Sequence, residues 1–199
     1  MQFEHLGARP RIHPTAVIAE TAVVSGDVEI GADCQVLHGA IITAEGGPIT
    51  LAESVIVMEN AVVRASAADP VHIADHTLIG PGATVSGATI GAEVFLATGT
   101  RVFNGAHIGD RCEVRVGAVV HLRTTLPPET VVPIGWVAVG DPLGIHPPSA
   151  HDKIWAAQQE LDFPGYVFGL DRDTPDLMVQ LTERYGRSLA RHAHDRRIG

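Results

Sequence analysis

From Ile90 to Val120 a bulky aliphatic residue returns at every sixth position: Ile90, Leu96, Val102, Ile108, Val114 and Val120. A spacing of six fits neither the 3.6-residue turn of an α-helix nor the two-residue alternation of a half-buried strand. Two places before each aliphatic stands a smaller residue, in order Ala88, Val94, Thr100, Ala106, Cys112 and Ala118. That combination marks the hexapeptide repeat, in which three short strands and three tight corners make one coil of a parallel β-helix. The same register begins at Ile12 and runs through Ile18, Val24, Ile30, Val36 and Ile42. It pauses at AEGGP, resumes at Leu51, Val57 and Val63, pauses again at ASAADP, and returns at Ile73, Ile79 and Val85. A single five-residue step then leads into Ile90. Eighteen inward positions imply about six triangular coils over residues 1–125. Burying each Val or Ile contributes roughly 1.5–3 kcal/mol, enough to hold such a prism together without aromatic residues.

Gly31, Gly80, Gly91 and Gly109 follow inward aliphatics, where the corners are expected to need a permissive backbone. Beyond Val120, the stretch LPPETVVPIGWVAVGDPLGIHPP is rich in proline and reads as a cap and connection over 126–148. Residues 149–199 read as a C-terminal helical segment packed on the coil, with one or two helices. The first carries Ile154, Ala157 and Leu161 on one face, the second starts near Thr174-Pro175, and RHAHDRRIG forms a frayed tail. The fold class expected is therefore all-β, a parallel β-helix with appended helices.

With 199 residues the chain has room for one domain with a full core. A net charge of −9 argues against nucleic acid and anionic membrane surfaces as partners. No run of 18 apolar residues is present and MQFEHLGARP lacks the apolar stretch of a signal peptide, which points to the cytoplasm. Cys34 and Cys112 both occupy the small-residue position of the repeat and read as packing residues.

The order of coil, two insertions, coil and C-terminal helix resembles the gamma-class carbonic anhydrases over roughly residues 10–165. The segments PITLAESVIVMENAVVR and DPVHIADHTLIGPGATVSGATIGAEVFLATG carry the resemblance. It implies a left-handed coil, a homotrimer, and a zinc ion held between subunits by three histidines. Carried over, the three ligand positions fall at Arg64, Pro81 and Ser86, none of which is histidine. The family's Arg-Gly-Asp stretch appears as Thr43, Ala44 and Glu45, and its Gln-Asp pair as Met58 and Glu59. No zinc, and no other cofactor, is expected at the family's site.

What the resemblance leaves in place is an altered interface pocket. Column arithmetic puts Arg64 beside Glu59 and near Glu45, and His38 one coil from Glu59. Two readings follow: a structural ion pair sealing a trimer interface, or a pocket for a small anionic or carbonyl ligand. In the second, Arg64 is the anchor, His38 or Glu59 the acid or base, and Ser86, Pro81 and Glu45 line the pocket. His72, His76 and His121 are the histidines left to rebuild a metal site across subunits. Whether the chain is an enzyme stays open. The function expected is a gamma-carbonic-anhydrase-like homotrimer lacking the zinc site, silent or repurposed. The alternatives are a hexapeptide-repeat acyl-coenzyme A acyltransferase, with His38 or His121 as base, and a non-catalytic scaffold subunit.

Overall fold

The computed structural model describes residues 1–199. The six-residue period resolves into three parallel sheets, and the inward residues form three columns. Ile12, Ile30, Leu51, Ile73, Ile90, Ile108 and Leu126 stack in the first column. Ile18, Val36, Val57, Ile79, Leu96, Val114 and Val132 form the second. Val24, Ile42, Val63, Val85, Val102, Val120 and Ala138 form the third. The β-helix makes about eight turns rather than six, because the period does not end at Val120: Leu126, Val132 and Ala138 add a coil, while Pro127, Pro128 and Pro133 lie outside the paired positions, and the opening strand Gln2–Glu4, parallel to Val23–Ser25, begins another before Ile12. The segment expected to be a cap is thus largely coil, and the expected boundary at 125 moves beyond Val139.

All three register irregularities fall at one corner, where the third sheet hands over to the first. Inward residues there step from Ile42 to Leu51, from Val63 to Ile73 and from Val85 to Ile90, whereas the other two corners keep steps of six. The two longer connections extend the preceding strands, Ile41–Glu45 and Val62–Ser66, which pair along their whole length. Glu45 and Ser66 are thereby carried past the point where ordinary strands turn.

The glycines behind the inward aliphatics serve a purpose other than the one expected. Gly31, Gly80, Gly91 and Gly109 do not have positive φ; a Cβ on Gly80 would lie 2.7 Å from the Leu96 carbonyl oxygen, so close stacking of coils excludes a side chain. The left-handed corner positions fall elsewhere, for example at Asn60 and Gly82. Both cysteines are buried and donate to carbonyls of the next coil, Cys34 to Ala52 and Cys112 to Pro127, in keeping with a packing role.

The third sheet has ten strands and is covered on its outer side by the C-terminal segment. Three helices follow the coil: α1 (His151–Leu161), α2 (Phe163–Phe168) and α3 (Leu177–Leu189). The short α2, unforeseen in the sequence, is capped by Asp162, whose side chain accepts from the Gly165 amide. An edge-to-face aromatic series runs from Phe103 on the coil through Phe163 and Phe168 to Tyr185, with neighbouring centroids 5.9–6.2 Å apart, and fixes the helices to the sheet. The tail is not frayed. After a 3₁₀ turn over Ala190–His194, Arg196–Arg197 pairs antiparallel with Gln2–Glu4 and extends the ten-stranded sheet. No helix is long and apolar enough to cross a membrane.

Candidate functional site

Arg64 lies on the outer side of the ten-stranded sheet, in register with Thr43 on one side and Ser86 on the other. The helices arch over it and leave a cavity of about 590 Å³ lined by Glu45, Arg64, Ser86, Phe103, Asn104, Phe163, Phe168, Leu181, Arg184, Tyr185 and Arg191, among others. The second insertion forms one wall and α3 the opposite one.

Charge in this cavity is opposite in sign to that of the whole chain. Three guanidinium groups line it against one carboxylate, Glu45. Arg64 Nη2 is 3.7 Å from Glu45 Oε1 and its guanidinium lies 5.7 Å from the Tyr185 ring centre. Arg184 donates only to the Gly169 carbonyl, and Arg191 to the carbonyl and hydroxyl of Ser188, so neither is neutralised by an acid. The apolar wall is supplied by Phe103, Phe163, Phe168 and Leu181.

Glu45 is held from several sides. Thr43 Oγ1 donates to Oε1 at 2.9 Å, and His192 Nε2 lies 3.0 Å from both carboxylate oxygens. His192 Nδ1 is 2.8 Å from Asp195, and the other oxygen of Asp195 bonds His5 Nδ1. The rings of His5 and His192 stack with centroids 4.3 Å apart, 19° from parallel. The hydrogen bond to Asp195 raises the pKa of His192, with burial opposing and Glu45 adding to the rise. Burial pushes Asp195 up, but its bonds to His192 and His5 outweigh that and hold it below the ordinary carboxylate value.

The residues singled out in the sequence divide between two places. Glu45, Arg64 and Ser86 come together in the cavity. His38, Glu59 and Pro81 stack instead at the corner between the second and third sheets, where the Asn60 amide donates to the His38 carbonyl and the Gly82 amide to that of Glu59. His38 and Glu59 are exposed there, and the His38 ring bonds Thr21 Oγ1 at 2.8 Å. Arg64 accordingly pairs with Glu45 and not with Glu59, because successive coils bring side chains of one face together and separate those on either side of a corner. His72 faces outward between Thr50 and Thr89, His76 sits at a corner, and His121 stacks on Phe103, so these three do not converge within one chain. His5, His192 and Asp195 escaped the sequence reading: His5 meets Asp195 across 190 residues and His192 meets Glu45 across 147, and no local pattern signals that.

No protein-family model matches the chain. It is 25% identical over 124 residues to the mitochondrial gamma carbonic anhydrase 1 of Arabidopsis thaliana, covering 59% of this chain and 45% of that protein. It is 24% identical over 110 residues to a carbonic anhydrase of Geobacillus kaustophilus, covering 55% of this chain and 60% of the relative. The chain thus spans about half the length of the curated relatives it matches. Among solved structures it is similar to a hexapeptide transferase family protein from Anaplasma phagocytophilum, with a TM-score of 0.58, 19% identity and 96% of each chain covered. That likeness concerns the fold, a left-handed β-helix. Relatives and fold together make the chain similar to the gamma carbonic anhydrases in sequence and to a hexapeptide transferase family protein in architecture.

Proposed function

We propose that this protein is a homotrimeric relative of the gamma carbonic anhydrases that binds a small organic anion, a carboxylate or related carbonyl compound, in the cavity beneath its C-terminal helices. The observation that carries this reading is three guanidinium groups facing one carboxylate in a cavity whose remaining wall is largely aromatic and aliphatic. Such a site offers planar, bidentate donors to a carboxylate head and apolar contact to its body. Arg64 is the anchor. The acid or base role considered for His38 or Glu59 has no place in this cavity, since both stand around the corner from it.

Zinc at the positions of the resembling family does not fit the residues present. Pro81 has no side-chain donor, Arg64 is a permanent cation engaged with Glu45 and Tyr185, and Ser86 is a poor ligand. The trimer is supported by the outer side of the second sheet, where Val17, Ile56, Leu78, Phe95 and Val131 line up in register with only Gln35 and Glu113 among them. Phe95 is 45% exposed and the chain's own helices lie on a different face.

Thermal melting against acetate, pyruvate, benzoate, bicarbonate and acetyl-coenzyme A tests the reading. An organic carboxylate is expected to raise the melting temperature of the wild type, by the equivalent of about 2.7 kcal/mol at a hundredfold excess over Kd. Arg64→Ala should abolish that response. Protection by acetyl-coenzyme A alone would instead assign the cavity to acyl transfer, and no response to any of these compounds would leave a scaffold.

A further inference from the structure

We infer that the ligand of the cavity is an aromatic dicarboxylate, with one carboxylate on Arg64, the other on Arg184 or Arg191, and a ring between them against the aromatic wall. The inference rests on the anion reading of that cavity and narrows it to two negative charges on a planar body.

Charge sets the number of anionic groups. Three guanidinium groups against one carboxylate leave two positive charges unbalanced. Glu45 satisfies little of Arg64: its oxygens are already engaged by Thr43 and His192, and Arg64 Nη2 stands 3.7 Å away, beyond hydrogen-bond range. Asp69 does not alter the balance, because Tyr166 and Asn104 donate to it and it lines a separate hollow together with Arg123. Like charges gathered in a half-enclosed space repel one another more strongly than in open water, and a dianion removes that cost.

Placement favours two separate groups over one compact ion. Arg64 rises from the sheet, whereas Arg184 belongs to α3 and Arg191 to the 3₁₀ turn after it. Arg184 is fixed by the Gly169 carbonyl and Arg191 by Ser188, and each keeps N–H groups to spare from its five. The cations are thus held in position on opposite sides of the cavity, and a ligand charged at both ends meets both sides. The space between is apolar and aromatic. Phe103, Phe163, Phe168 and Tyr185 meet edge to face with centroids 5.9–6.2 Å apart, a pattern that a further ring continues and an aliphatic chain does not. A cavity of about 590 Å³ falls in the range that encloses drug-sized molecules, far more room than acetate or bicarbonate fills. A rigid ring also loses less freedom on binding than a flexible chain carrying the same two charges.

Titration calorimetry of the full chain with terephthalate, isophthalate, benzoate, adipate and phenyl phosphate tests it. An aromatic dicarboxylate is expected to bind about tenfold more tightly than benzoate, the effect of one added hydrogen bond to a charged group. It should also bind more tightly than adipate, which has two carboxylates and no ring. In Arg184→Gln or Arg191→Gln the advantage over benzoate should shrink towards one. Phe168→Leu, which keeps an apolar side chain in the wall, should shrink the advantage over adipate, with circular dichroism confirming the coil in each variant. Benzoate binding as tightly as both dicarboxylates overturns the second charge while leaving the anion reading intact. Adipate equal to the aromatic dicarboxylates overturns the ring, and phenyl phosphate tighter than either of them replaces the dicarboxylate by a phosphate ester. No heat with any carboxylate removes the anion reading itself, and this inference with it.

Discussion

His121 shows how one side chain ties stability to pH. Its ring stacks on Phe103 with centroids 5.6 Å apart, its Nδ1 is buried without a partner, and burial lowers its pKa. A histidine lowered on folding binds its proton more readily in the unfolded chain. Stability is therefore full above about pH 6.5 and is lost as pH falls from there towards the folded value. Thermal melts between pH 7 and 5 should show a declining midpoint, and His121→Phe, which keeps a ring against Phe103, should flatten that decline. A decline of equal steepness in the variant would rule this residue out as the source. Arg64 was legible in register with Thr43 and Ser86 because a six-residue period places residues on columns by arithmetic alone, whereas its pairing with Glu45 and not Glu59 depends on the first insertion, which lies outside that period. His5 and Asp195 were not, since nothing near either residue in sequence anticipates their meeting.

Among the elements, α2 depends on the second insertion. Tyr166 donates to Asp69 at 2.6 Å, Asn104 donates to the other oxygen of Asp69 at 3.1 Å, and Arg123 packs on the Tyr166 ring. Burial, with the Asp69 carboxylate adding to it, pushes the Tyr166 phenol up to about 12, so it stays a donor at every working pH. Asp69 is 7% exposed, and removing its tyrosine partner leaves a nearly buried carboxylate short of a donor. Tyr166→Phe should therefore cost about 1–3 kcal/mol. Hydrogen exchange should quicken in α2 while the coil's inner strands stay protected; equal quickening throughout would mean that α2 is not a separately fastened element. The sequence announced α1 and α3 through their length and flanking residues but not α2, whose six residues include a proline and a glycine and are held by tertiary contacts more than by propensity. Proline density likewise hid the last coils: Pro127, Pro128 and Pro133 suggested a cap, although they interrupt none of the inward positions Leu126, Val132 and Ala138.

Across the whole molecule, the three faces of the prism have different tasks. One carries the helices and the cavity, one is polar, and one presents the apolar row through Phe95. Introducing a charge in the middle of that row by Phe95→Glu should convert a trimer to monomers in light scattering without changing the circular dichroism of the coil. A wild type that already scatters as a monomer would remove the trimer from the proposal. Most of the fold could be read from the period because each coil repeats one local solution and contacts mainly its neighbours. The site could be read only where it lay on a single column, and its other half came from a tail that leaves the repeat altogether.

Every register irregularity is concentrated at one corner. Steps of nine, ten and five residues there leave all three inward columns aligned, so the number of residues at that corner varies independently of the core. Segments such as AEGGP and ASAADP can therefore carry Glu45 and Asp69, the residues that hold Arg64, His192 and Tyr166, without disturbing the aliphatic columns behind them.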